Sequence, residues 1–126
     1  MTSGRPQIAH MTLSIEGSVA RAVVSGELDA SSAPAIERKL LQVISDGNDL
    51  VVDIGAVSFI DSSALRMFLN WSDAADQATR GFVIVSPAEG RSAAVNRVME
   101  LTQLEGILPI VASANEALTM VARDSK

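Results

Sequence analysis

Residues 50–65, Leu-Val-Val-Asp-Ile-Gly-Ala-Val-Ser-Phe-Ile-Asp-Ser-Ser-Ala-Leu, constrain this chain more than any other stretch. The run 50–54 is apolar except for Asp53, the pattern of a strand covered by helices. A short loop follows, and an amphipathic helix is predicted from Ser62. The loop delivers Asp61, Ser62 and Ser63 to the helix N-terminus, where backbone N–H groups lack partners and the local potential is positive. A hydroxyl held there is displayed, and a phosphate placed on it is tolerated.

The rest of the chain falls into order around this stretch. Residues 1–10, with Ser3, Gly4 and Pro6, read as a loose lead-in. Residues 11–16 alternate, Leu13 and Ile15 on one face and Thr12, Ser14 and Glu16 on the other, so a half-buried strand is expected. Gly17-Ser18 suits a two-residue type II′ hairpin turn, and a second strand is predicted over 19–28. Ser31 or Ser32 can cap a helix with Pro34 in its first turn, carried to about residue 45 by Ala33, Ile36, Leu40, Val43 and Ile44. After the helix that begins at Ser62 come a strand over 82–85 ended by Pro87, a helix over 92–103 and a short strand over 107–111. Ser113-Ala114-Asn115-Glu116 has the form of a capping box, and a last helix runs to about residue 123. Strands alternating with helices after an opening hairpin imply one α/β domain. The expected architecture is a mixed sheet of about five strands with right-handed parallel crossovers and four helices.

Projected at 100° per residue, the helix over 62–79 has a polar stripe of Arg66, Asn70, Asp73 and Gln77, with Ser62 and Ser63 at its margins. Its apolar side takes Ala64, Leu65, Met67, Phe68, Trp71, Ala74, Ala75 and Ala78. This arc covers roughly 220°, about twice what a single core-facing stripe requires. One edge is therefore covered by another part of the chain or faces a partner. Met67 and Trp71, which continue the line from Ser63, are expected to be the exposed edge.

Several function classes are disfavoured. The net charge of −5 and pI near 4.7 argue against nucleic acid or an anionic membrane as partner. No cysteine is present, which excludes disulfides and thiolate metal sites. The lone His10 has no neighbouring ligand set, and the acids form no cluster suited to a hard metal. No apolar run approaches the ~20 residues of a membrane span, and residues 1–10 lack an apolar signal core. A cytoplasmic protein is the expectation. A serine nucleophile requires a base within reach, and Ser62 and Ser63 have no histidine candidate in the body of the chain. With no phosphate-binding or nucleophile-elbow motif either, the chain reads as a non-enzyme without a cofactor.

These residues resemble the STAS domain, specifically the stand-alone bacterial anti-sigma factor antagonists. The resemblance runs through Gly26-Glu27-Leu28-Asp29, Ser32-Ala33-Pro34, Val52-Asp53-Ile54 and Phe59-Ile60-Asp61-Ser62-Ser63-Ala64-Leu65. Ser86-Pro87, residues 95–102 and Leu108-Pro109-Ile110 complete it. It implies a lead over 1–10, a STAS domain over 11–123 and a tail over 124–126. It also implies a partner anti-sigma factor that is often a serine kinase, phosphorylation of Ser62 that breaks the complex, and a phosphatase that restores it. Asp29 matches the family acid that lies close to that serine. The implied contact surface is Asp29, Asp61, Ser62, Ser63, Ala64, Arg66, Met67, Asn70 and Trp71, with any nucleotide and Mg²⁺ belonging to the partner. Two departures stand out: Ala64, where Gly is usual, could set a methyl group in the path of a partner's backbone, and Gln103 stands where Gly is frequent. The same fold also serves as a stand-alone subunit of ABC transporters and stress-signalling complexes. The sequence leaves the oligomeric state open.

Overall fold

The computed structural model describes residues 8–124; residues 1–7 of the lead expected over 1–10 and residues 125–126 of the tail expected over 124–126 lie outside the described residues. The strands are β1 (His10–Glu16), β2 (Val19–Leu28), β3 (Asp49–Ile60), β4 (Phe82–Val85) and β5 (Ile110–Val111). The helices are α1 (Ala33–Ser45), α2 (Ser62–Ala78), α3 (Ala93–Thr102) and α4 (Ala114–Asp124), with one turn of 3₁₀ helix at Leu104–Gly106. The five strands stand in chain order across one sheet, β1 antiparallel to β2 and the rest parallel. Glu16 pairs with Val19 across Gly17-Ser18, and Gly17 takes φ +61, as a II′ turn demands.

Sequential parallel strands joined by crossovers of one hand place every crossover helix on the same face. Accordingly α1, α2 and α3 share one hydrophobic core with the inward side chains of the sheet, among them Val24, Leu28, Leu50, Val52, Ile84, Leu40, Phe68, Val95 and Met99. Among the described residues the opposite face receives only α4, whose Ala117 and Val121 cover Val51, Val83 and Val85. Among the described residues the rest of that face, over β1, β2 and the end of β3, is uncovered, with Val23 and Phe59 exposed and Arg21 reaching Asp53 at 3.9 Å.

Three expectations require correction. First, residues 55–60 are strand, not loop: β3 runs to Ile60 and pairs with β2 as far as Leu28. The register slips twice, between Val23↔Asp53 and Ser25↔Ala56 and between Gly26↔Val57 and Glu27↔Phe59, so β3 carries two extra residues. The inward residues are therefore Ile54, Val57 and Ile60, three apart instead of two, and the alternation that marks a strand is lost. Second, His10 already belongs to β1, and Ile8 bridges to Glu27, so the lead does not extend to residue 10. Third, neither Ser31 nor Ser32 caps α1 with its side chain. Ser32 Oγ donates instead to the Glu27 carbonyl at 3.0 Å, and the Asp29 carboxylate takes the nearby amides.

At the far end of the sheet, Asp49 is buried and joins three segments. Its Oδ1 accepts from the Gly81 amide (2.8 Å) and lies 3.2 Å from Arg80 Nε, while its own amide donates to the Ser18 carbonyl. Gly81 is obligatory here, because a Cβ would meet the Val121 backbone at 2.8 Å.

Candidate functional site

The site is built where β2 and β3 end side by side. Leu28 pairs with Ile60, and the Asp61 amide donates to the Leu28 carbonyl (3.2 Å), so Asp29 and Asp61 leave adjacent strands at the same level. Neighbouring strands are about 4.8 Å apart, which fixes the spacing of the two backbones.

Asp61 is the N-cap of α2, with extended backbone at φ −121 and ψ −170. Its Oδ1 accepts from the amides of Ser63 (2.9 Å) and Ala64 (3.3 Å). Because the carboxylate does the capping, the hydroxyl of Ser62, the first helical residue, is not required for it. Ser62 is exposed, Ser63 is half-buried and Ala64 is fully buried. One turn on from Ser62, Arg66 is exposed, and Asn70 follows on the same line. Asn70 Nδ2 donates to Glu37 Oε2 (2.6 Å), which ties α2 to α1 beside the exposed ridge.

The Asp29 carboxylate is turned onto its own loop. Oδ1 accepts from the Ser31 hydroxyl (2.7 Å), the Ser31 amide (3.0 Å) and the Ser32 amide (3.2 Å). The bonds from Ser31, hydroxyl first and amide next, hold this carboxyl below its ordinary value of 3.8. Beside it a groove of about 400 Å³ is lined by Ile8, Ala9, Ala35 and Ile36, with Asp29 and Ser32 at its polar side.

Met67 and Trp71 are not on the surface, contrary to the exposure expected for them. They are 1% and 0% exposed. Trp71 lies between Phe68 (centroids 5.9 Å) and Phe82 (6.4 Å), and its Nε1 donates to the Glu37 carbonyl at 3.2 Å. The wide apolar arc is real, but α1 covers the edge that the sheet does not. Ala64 is likewise turned inward, so its methyl group packs in the core and does not stand in a partner's path. Sequence reasoning passed over Leu69, which is 42% exposed between Arg66 and Asn70. A leucine just outside the polar stripe, beside Ser62 on the wheel, was the signal for it. The groove beside Asp29 had no comparable signal, because its walls come from residues far apart in the chain.

Chemically, the arrangement offers a free hydroxyl, one cation and a small apolar contact. The amides of Ser63 and Ala64 already serve Asp61, so a phosphate on Ser62 would meet Arg66 and solvent, not an empty helix N-terminus. Among the described residues no three His, Asp or Glu side chains gather as metal ligands. No helix among them is long and apolar enough to cross a membrane.

Comparison with known proteins places this geometry among relatives. A family model described as "Mlab, STAS domain" matches residues 11–111. The anti-sigma-F factor antagonist RsfB of Mycobacterium tuberculosis is 26% identical over 117 residues, covering 92% of each chain. An anti-sigma-B factor antagonist of Staphylococcus aureus is 31% identical over 88 residues, 69% of this chain and 78% of that protein. The crystal structure of an anti-sigma factor antagonist from Mycobacterium paratuberculosis superposes with a TM-score of 0.76 at 30% identity, over 90% of this chain and 94% of that one.

Proposed function

The chain belongs to the STAS domain family, and on that premise we propose that it is an anti-sigma factor antagonist switched by phosphorylation of Ser62. The contact surface in this reading is the ridge Ser62, Arg66, Leu69 and Asn70, with the Asp29 loop and its groove alongside. The observation that carries the proposal is the exposed hydroxyl at the first position of α2, released from capping by Asp61. The partner is an anti-sigma factor with serine kinase activity, the compartment is the cytoplasm where sigma factors act, and a phosphatase reverses the mark. The chain serves as ligand and substrate; the nucleotide and its chemistry belong to the partner.

The energetics favour exclusion at the interface over refolding. A phosphate adds about −1.5 to −2 charges at neutral pH. On the free surface it sits near Arg66, a pair worth about 0.5 kcal/mol. In a contact, burying it unpaired beside Asp29 and Asp61 costs several kcal/mol, and about 4 kcal/mol is a thousandfold in affinity.

The test is incubation with candidate anti-sigma kinases and ATP, with the modified residue mapped by mass spectrometry. Modification at Ser62, loss of binding in Ser62→Asp, and retained binding with resistance to inactivation in Ser62→Ala are expected. Phosphorylation confined to other residues, with Ser62→Asp still binding normally, would refute the switch. Recovery of an ABC-type ATPase in place of an anti-sigma factor would assign the same surface to a transporter.

A further inference from the structure

We propose that the outer edge of β1 is a self-pairing surface, on which two copies of this chain join β1 to β1 antiparallel about a two-fold axis at Leu13. The pairing would double the five-stranded sheet without using the surface around Ser62, so it stands apart from the functional reading above.

Among the described residues β1 is the last strand of the sheet on its side, and its seven residues, His10–Glu16, contain no Pro, Lys or Arg. Those are the residues that ordinarily block an edge. Its side chains sort cleanly by face. Met11, Leu13 and Ile15 lie opposite Val24, Ala22 and Ala20 on the helix side, while His10, Thr12, Ser14 and Glu16 lie on the open side.

The register then follows from complementarity. A two-fold at Leu13 uses all seven residues and keeps the helices of both copies on one side of the joined sheet. It sets Leu13 against its own copy and Met11 against Ile15, covering an isoleucine that is 50% exposed in the single chain. On the open side it sets Thr12 against Ser14 and His10 against Glu16. Every pair is apolar with apolar, hydroxyl with hydroxyl, or imidazole with carboxylate, and no like charges face each other. Slipping by two residues in either direction leaves five residues of β1 paired and breaks the His10–Glu16 match. The nearest charges on β2 do not oppose the pairing: Arg21, beside Ser14, is engaged with Asp53, and Glu27 lies diagonal to His10.

An edge contact is small, so exchange between monomer and dimer is expected. Sedimentation velocity from micromolar to near-millimolar protein should show the mass rising from 13.2 kDa towards twice that value. Thr12→Lys combined with Ser14→Lys places like charges across the seam and should abolish the rise. His10→Glu alone should weaken the dimer about tenfold, since each substitution acts twice in a symmetric pair. His10→Glu combined with Glu16→Lys should restore it. All four side chains are exposed, and circular dichroism serves as the check on folding. In the unaltered chain, amide exchange in β1 should slow as concentration rises. A monomer at every concentration, or a dimer indifferent to the lysine pair, overturns the proposal. Failure of the charge swap to rescue overturns the register.

Discussion

At the scale of single residues, the helix start at Asp61-Ser62-Ser63 was legible because it depends on local rules. Acids and serines are both favoured caps, so which of Asp61 and Ser62 does the capping was not legible; Asp61 does it. The fates of Met67 and Trp71 were not legible, because a helical wheel reports how wide an apolar arc is and not which neighbour covers it. The cover is α1, made visible by the hydrogen bonds from Trp71 and Asn70 to Glu37. Ala64 illustrates the same point: its departure from the family's Gly lies in the core. Ala64→Gly should therefore lower stability by about 1–2 kcal/mol in denaturant unfolding, from helix propensity and a lost buried methyl group, with partner affinity unchanged. Asp29 has a folded-state acidity stronger than its unfolded one. Its contribution to stability is thus complete above about pH 4 and is lost as pH falls through the lowered folded value. Replacing it by Asn should flatten that part of the stability–pH curve, which thermal melts between neutral and acidic pH would detect.

At the scale of elements, the order of strands and helices could be read from periodicity, and the one long misreading was the end of β3. Two bulges turn its inward spacing from two to three, so Ile54, Val57 and Ile60 carry no strand signature. Those bulges nonetheless bring Asp61 level with Asp29, and so they build the site. Helix ends offer a second lesson. Gln103, after α3, sits in the left-handed region at φ 52, which explains why the family often has Gly there. Gln103→Gly should raise stability by about 0.5–1 kcal/mol, read from the urea midpoint. The Asp49 junction behaves in the opposite sense. Removing its carboxylate strands Arg80 and the Gly81 amide, and Asp49→Ala should cost about 3–5 kcal/mol in the same measurement.

At the scale of the whole molecule, three crossover helices crowd one face and a single helix half-covers the other. That asymmetry follows from a strand order that never reverses, and among the described residues it leaves both the β1 edge and part of that second face uncovered. The candidate surface occupies a different region, the exposed side of α2 and the ends of β2 and β3, so partner binding and fold stability are separable. Ser62→Asp should accordingly leave the unfolding free energy within about 1 kcal/mol of the unaltered chain while partner binding is lost; calorimetry of the free protein and of the mixture tests both halves. Asp61 gives this separation a kinetic meaning. Since its carboxylate already accepts from the Ser63 and Ala64 amides, a phosphoryl group placed on Ser62 would find those donors taken and would stand unsheltered by the body that carries it. On the proposed reading, its lifetime would then be set by whichever enzymes write and erase it, and the domain would keep no record once they had acted.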